Sequence, residues 1–496
     1  MVLEVLIKRK KEVKMNNGLE RKYGLLTAIA MVVGIVIGSG VFFKAQTILT
    51  KTNGNMPLGI LAWIVGGCIM LACVLAFAIM ATKYEKVNGI VDYAEAAVSK
   101  KYGYAVGWFM TFIYYPTLTS VLAWLSARFT LVFITSAWPQ FPMMVPAEEG
   151  GCVIGPECMA MTVFFMCAAY FVNAISPKLA GYFQVTTTVI KLVPLILMAV
   201  VGIICGLVSE NGVLIENMTT TGIDLAETAT SNPLFASIVA TAFAYEGWII
   251  ATSVNSELKN AKRNLPIALV AGGLIIVIIY IAYYIGVAGG ATVEQLITDG
   301  ATVAYINVFG KVFGTVLNLF VAISCMGTLN GLMLGCTRGI YSIAARGEGP
   351  KPKLFAQVDP ESNMANNSAI LGLMMCGIWF LFFYLANLGT VNYLGFFGFD
   401  SSELPIVTIY ALYIPVFIGF MKKATDFGPV KRYVIPILGL CGSIFMVIAA
   451  IYAHGIQPAQ AAAAAGGGFI CPILGYLCIF AAVMIVGLII GRKNRN

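Results

Sequence analysis

The sequence predicts an all-α integral membrane protein with about twelve transmembrane helices. Three observations carry that prediction. The 496-residue chain is 59% hydrophobic and only 11% charged, whereas soluble domains carry roughly a quarter charged residues. About twelve runs are apolar and long enough, at about 20 residues, to cross the ~30 Å hydrocarbon core as helix. The basic residues between these runs gather on alternate loops, the pattern that membrane insertion leaves behind.

Composition also removes whole classes of function. The balance of 31 Lys plus Arg against 23 Asp plus Glu leaves +8, too dilute over this length to form a nucleic-acid face. A single histidine, His454, with no C-x-x-C or H-E-x-x-H pattern, argues against a metal site or a His-based triad. No cofactor or catalytic residue is expected. An intramembrane enzyme or sensor lacks a nucleophile–base pair and a soluble signalling domain, and a channel lacks a continuous polar stripe. Only Cys152 and Cys158, among twelve cysteines, share a polar loop, so the chain is not a disulfide scaffold.

Charged or turn-rich segments bound the spans. In order, these are Leu25 to Leu49, Gly59 to Ala81, Tyr104 to Ser136, Met159 to Ala174, Gly181 to Leu207 and Pro233 to Ser256. Pro266 to Ala288, Tyr305 to Ala345, Ser368 to Ala386, Val391 to Phe420, Val434 to Ala453 and Phe469 to Gly491 complete the set. Seven basic residues precede the first span and no small-residue cleavage site follows it, so it reads as a retained helix rather than a signal peptide. One set of loops holds Lys83, Lys86, Lys100, Lys101, Lys178, Lys259, Lys262, Arg263, Arg346, Lys351, Lys353, Lys422, Lys423, Lys431 and Arg432, and the same side takes Arg338 and both chain ends. That side is expected to be cytoplasmic. The opposite loops Trp138 to Glu157, Ser209 to Asn232 and Gly289 to Ala304 hold acids and no Lys or Arg. The polar stretch Lys86 to Tyr104 reads equally as a short helix against the membrane or as a solvated loop. Gln460 to Gly468, five alanines and three glycines, reads as a low-complexity outer connection.

Two spans carry interruptions. The first contains Gly34-Ile-Val-Ile-Gly38-Ser39-Gly40-Val41-Phe42, where glycine frees the backbone and G-x-x-x-G also suits helix packing. The sixth contains Phe243-Ala244-Tyr245-Glu246-Gly247-Trp248, with a carboxylate in mid-span. At 1.5 Å per residue both interruptions lie about 20 Å in from opposite faces, so they meet near the midplane. Interrupted first and sixth spans are what an inverted repeat of five plus five helices predicts. The expected divisions are a cytoplasmic tail over 1–22, repeats over 23–208 and 209–421, two added helices over 422–491 and a tail over 492–496.

These stretches, with Ser256-Glu257-Leu258-Lys259-Asn260-Ala261-Lys262-Arg263-Asn264-Leu265-Pro266 directly after the sixth span, resemble the amino acid–polyamine–organocation transporter superfamily. Within it, the chain is similar to the L-type amino acid transporter branch and its bacterial relatives. A weaker echo is Asn88-Gly89-Ile90-Val91-Asp92-Tyr93 after the second span.

A broken helix offers free N–H groups at one half and free carbonyls at the other, which suits an amino acid's carboxylate and ammonium. Ser39, Gly40 and Val41 are expected to hold the carboxylate as a helix N-terminus holds an anion. Phe243, Ala244 and Glu246 are expected to offer carbonyls to the ammonium, and the resemblance implies the same roles with Phe243 as a lid. Lys191, about 15 Å into the fifth span, must pair with carbonyls or lose its proton. The resemblance implies that it stands where sodium-coupled relatives bind sodium; the other reading is a purely structural lysine that bonds the first and eighth spans. Glu246 departs from the small residue usual in the family; it reads as structural, as a reader of a polar or cationic side chain, or as a titrating group. Asp400 and Glu403, about 14 Å into the tenth span, read either as lining the outer pathway or as capping a helix break before Pro405. Tyr114, Tyr115 and Pro116 are expected to pack beside the pocket, and His454 at an outer membrane edge.

The expected function is sodium-independent exchange of neutral amino acids across the cell membrane by alternating access. Proton-coupled uptake and transport of cationic amino acids or polyamines are the alternatives. The expected partners are the amino acid and membrane lipid, with no nucleic acid. Eukaryotic members of the branch attach to a heavy chain through the loop that holds Cys152 and Cys158; nothing else in the sequence argues for that partner, and the two cysteines are also placed to pair with each other.

Overall fold

The computed structural model describes residues 24–84, 89–175, 177–210, 212–220, 222, 232–252, 258–359, 364–389, 392–464, 466 and 469–493. Among them, eleven helices are long and apolar enough to cross a membrane, and Leu25–Val36 with Gly40–Lys51 forms a twelfth span bent by 47°. The chain is a multi-span membrane protein. Most expected spans are found within a few residues of their sequence boundaries. The tail over 1–22, Lys86, Asn88 and the Ser256-Glu257 start of the third motif lie outside the described residues.

The second and seventh spans, Met56–Lys83 and Ala261–Gly290, pack against each other and against the two interrupted spans. The third, Lys100–Ala137, packs along the eighth, which falls within Ala301–Ala344 and is broken from a short preceding helix at Gly310, where φ is +77°. Small residues set how closely these helices approach. A Cβ on Gly34 would lie 2.5 Å from Thr188 of the fifth span, and one on Gly38 2.5 Å from Thr328 of the eighth. Gly38 therefore serves packing and also stands in the interruption, whereas Gly34 packs within the first helical half.

Three sequence expectations need correction. The tenth helix starts at Leu404, not near Val391; between Asn392 and Glu403 the chain is irregular around a single turn at Gly395–Phe397. Asp400 and Glu403 therefore stand at a helix start rather than deep within a helix. The alanine run is helical as far as Ala464, because alanine is the best helix former and an eleventh span of Val430–Ala464 carries it along. The stretch after the second span forms a helix, Ile90–Ala97, whose Ile90, Val91, Tyr93 and Ala94 are buried inside the protein. Arg346, just past the eighth span, clamps it by pairing with Asp92 and, at 3.0 Å, with Glu95.

Candidate functional site

The first span stops at Val36 and restarts at Gly40, with Ile37 extended at ψ 106° between. The second half thus begins in mid-span with N–H groups that have no carbonyl one turn back. Ser39 stands at this start without capping it. Its hydroxyl is buried with no hydrogen-bond partner among the described residues.

The sixth span's first half, Pro233–Tyr245, ends where Glu246 turns extended and Gly247 takes φ +107°. Only glycine adopts that backbone without strain, which explains Gly247. The two interruptions touch: a Cβ on Gly40 would sit 2.6 Å from the Cα of Ala244, and one on Gly247 3.3 Å from the carbonyl of Ile35. Tyr280 of the seventh span ties them, its hydroxyl lying 3.2 Å from the carbonyls of both Val36 and Ala244. Lys191, wholly buried, donates to the carbonyl of Gly34. That bond anchors the first half of the first span to the fifth.

Between the interruptions lies a cavity of about 290 Å³ lined by Ser39, Gly40, Phe243, Glu246 and Gly247. It also meets Asn173, Gln184 and Arg338, which lie near the span ends that face the basic loops. The cavity therefore runs from mid-span toward that side. On the other side Phe243 closes it, with Phe43 edge-on at 6.0 Å and Trp124 edge-on to Phe43 at 5.8 Å.

Of the sequence-predicted residues, Ser39, Gly40, Phe243 and Glu246 line this cavity, whereas Val41 and Ala244 do not. Val41 is fully buried, and the Ala244 carbonyl faces Tyr280 instead. Glu246 is buried, with one oxygen accepting from the Tyr114 hydroxyl at 2.8 Å and the other without a partner. Tyr114 closes a π-helical turn, Met110–Tyr114, in the third span and lines the cavity itself. The aromatic cluster thus contributes a polar contact beyond packing. Asn173, which sequence reasoning missed, donates to Asn330 at 2.9 Å across the inner part of the cavity.

Asp400 and Glu403 lie apart from the cavity and differ in what they do. Asp400 shapes the turn that leads into the tenth helix, accepting from the N–H of Ser402 at 2.7 Å and of Glu403 at 3.1 Å, and does not cap the helix itself. Glu403 is fully buried in an ion cluster, 2.6 Å from Lys44, 3.1 Å from Lys51 and 3.0 Å from His454. His454 is thus a buried partner that joins the eleventh span to the first and tenth, and its ring does not face outward. Lys44 escapes sequence reasoning, although a lysine in Val41-Phe42-Phe43-Lys44 was the available signal. Cys152 and Cys158 are both buried free thiols.

The model of the family described as amino acid permease matches residues 23–470. The serine/threonine exchanger SteT of Bacillus subtilis strain 168 is 27% identical over 442 residues, covering 87% of this chain and 91% of its own. The human b(0,+)-type amino acid transporter 1 is 25% identical over 438 residues, covering 87% and 83%. The mouse Asc-type amino acid transporter 1 is 24% identical over 400 residues, covering 79% and 71%. With mid-span interruptions enclosing a cavity and nearly the whole chain matched, this protein belongs to the amino acid permease family.

Proposed function

We propose that the protein is a transporter, not an enzyme, that exchanges amino acids across the cell membrane without sodium, by alternating access and with both termini cytoplasmic. The carrying observation is the cavity between the two interruptions, where Ser39 Oγ and one oxygen of Glu246 are buried without partners. A buried polar atom left unpaired costs free energy unless a ligand completes it. Ser39 and the open N–H groups from Gly40 onward suit a carboxylate, and the helix end at Phe243 with Glu246 suits an ammonium. Lys191 keeps a cation's place filled beside Gly34, which supports sodium independence. Exchange is supported by the relative named as a serine/threonine exchanger. The two interruptions support five-helix repeats over 23–208 and 209–421, with two further helices over 422–491.

Glu246 favours a refinement of the substrate. An acceptor oxygen with no donor beside the site suits side chains that bring a hydroxyl or a cation more than purely aliphatic ones. Heavy-chain attachment is not part of this reading, because Cys152 and Cys158 are buried.

The test is uptake of labelled L-serine, L-leucine and L-lysine into proteoliposomes, with and without unlabelled internal amino acid, in sodium and in choline. Uptake that requires internal amino acid and is equal in choline is expected. Uptake by none of the three overturns the transport reading, and a steep loss in choline overturns the role given to Lys191.

A further inference from the structure

On the side of the Phe43–Phe243 contact away from the basic loops lies a second cavity of about 590 Å³. Two of its lining residues are donors without acceptors. Arg128 of the third span is flanked by three aromatic rings, its guanidinium carbon 5.5 Å from the Trp124 centroid, 5.7 Å from Phe129 and 5.9 Å from Phe43. No hydrogen bond or ion pair to it is found among the described residues. Asn318 of the eighth span is 1% exposed, and its amide Nδ2 is buried without a partner while its Oδ1 accepts from Thr302 at 3.3 Å.

The rings hold the guanidinium through their faces and leave its N–H groups for an acceptor. Trp124 is itself fixed, donating its indole N–H to the carbonyl of Val153 at 2.9 Å. A guanidinium and a carboxamide N–H that share one cavity and lack acceptors fit a carboxylate. The exposed acids Glu148 and Asp299 line the same cavity, which gives it the opposite charge that an ammonium needs. Both ends of an amino acid are thereby provided for.

We propose that this cavity is a second binding station for the amino acid, in which Arg128 and Asn318 hold the carboxylate before the substrate passes Phe243 to Ser39. This rests on the transport reading above. Phe43 joins the two sites, since it contacts the Arg128 guanidinium on one side and the Phe243 ring on the other. Occupancy of the station thus bears on the ring that closes the inner cavity.

The experiment uses oriented proteoliposomes and whichever of L-serine, L-leucine and L-lysine the wild type exchanges fastest. Apparent KM is measured separately from each face. Losing a charge-assisted hydrogen bond weakens binding by about tenfold or more. Arg128→Gln is therefore expected to raise KM from the face opposite the basic loops about tenfold more than KM from the basic face. Arg128→Lys keeps the charge without the planar fork and should shift the same ratio less. Asn318→Leu provides an independent reading should Arg128→Gln fail to insert. An unchanged ratio of the two KM values in Asn318→Leu and in the Arg128 variants that fold overturns the station, and a purely structural role, moving both faces alike, gives that result. A wild type that exchanges none of the three amino acids overturns the transport reading instead.

Discussion

Ser39 and Glu246 are single residues whose environments assign them different work. Ser39 presents a hydroxyl with no partner at a helix start, so Ser39→Ala should weaken substrate binding by about tenfold, the worth of one hydrogen bond to a charged group. Equilibrium binding to purified protein checks this, and an unchanged affinity would take the carboxylate away from Ser39. Glu246 already accepts from the Tyr114 hydroxyl at 2.8 Å through one of its two oxygens. Glu246→Gln should lower affinity for L-lysine and L-serine more than for L-leucine. Tyr114→Phe frees a second oxygen and should alter the same selectivity, with a coupling of about 1 kcal/mol in the double-mutant cycle. A Glu246 variant with wild-type selectivity and a wild-type pH profile of uptake would mark the carboxylate as structural.

The interrupted spans act as elements because their backbones touch. A Cβ on Gly40 meets the Ala244 backbone, so Gly40→Val should force the two interruptions apart and abolish transport even in protein that reaches the membrane. Tyr280→Phe keeps the ring but removes the hydroxyl beside Val36 and Ala244; a loss of about 1 kcal/mol of stability together with slowed transport is expected in thermal-melt and uptake measurements. These elements were legible in sequence because glycines and a carboxylate stand out against apolar runs. The start of the tenth helix was not. Apolar residues from Val391 to Phe399 pass for helix by composition, and only their glycines at 395 and 398 hint otherwise. Partnerships were still less legible: Tyr114 and Glu246 are 132 positions apart and Lys44 and Glu403 are 359 apart, so periodicity could not join them. The inner polar residues Asn173 and Asn330 left no local pattern at all.

At the scale of the whole molecule, a buried ion cluster ties the first, tenth and eleventh spans on the side away from the basic loops. Glu403 alone neutralises Lys44 among the described ion pairs, and it also faces Lys51 and His454. Removing one partner of a buried pair typically costs about 3–5 kcal/mol because the other charge is stranded. Glu403→Gln should therefore lower thermal stability sharply, while His454→Gln, which leaves the lysines in place, should lower it far less. Equal melting temperatures for wild type and Glu403→Gln would show that the cluster does not hold these spans together. The wider arrangement is an inner cavity reaching toward the basic face and an outer cavity on the opposite side, separated by Phe43 and Phe243, which is the form alternating access needs. In the proposed arrangement an amino acid sits between the two interruptions. An experimental structure with a transported amino acid bound checks this placement: its carboxylate is expected against Ser39 and the N–H groups from Gly40 onward, its ammonium near the Phe243 carbonyl and its side chain toward Glu246. An amino acid bound elsewhere, with the space between residues 37–40 and 243–247 unfilled by it, would overturn the placement.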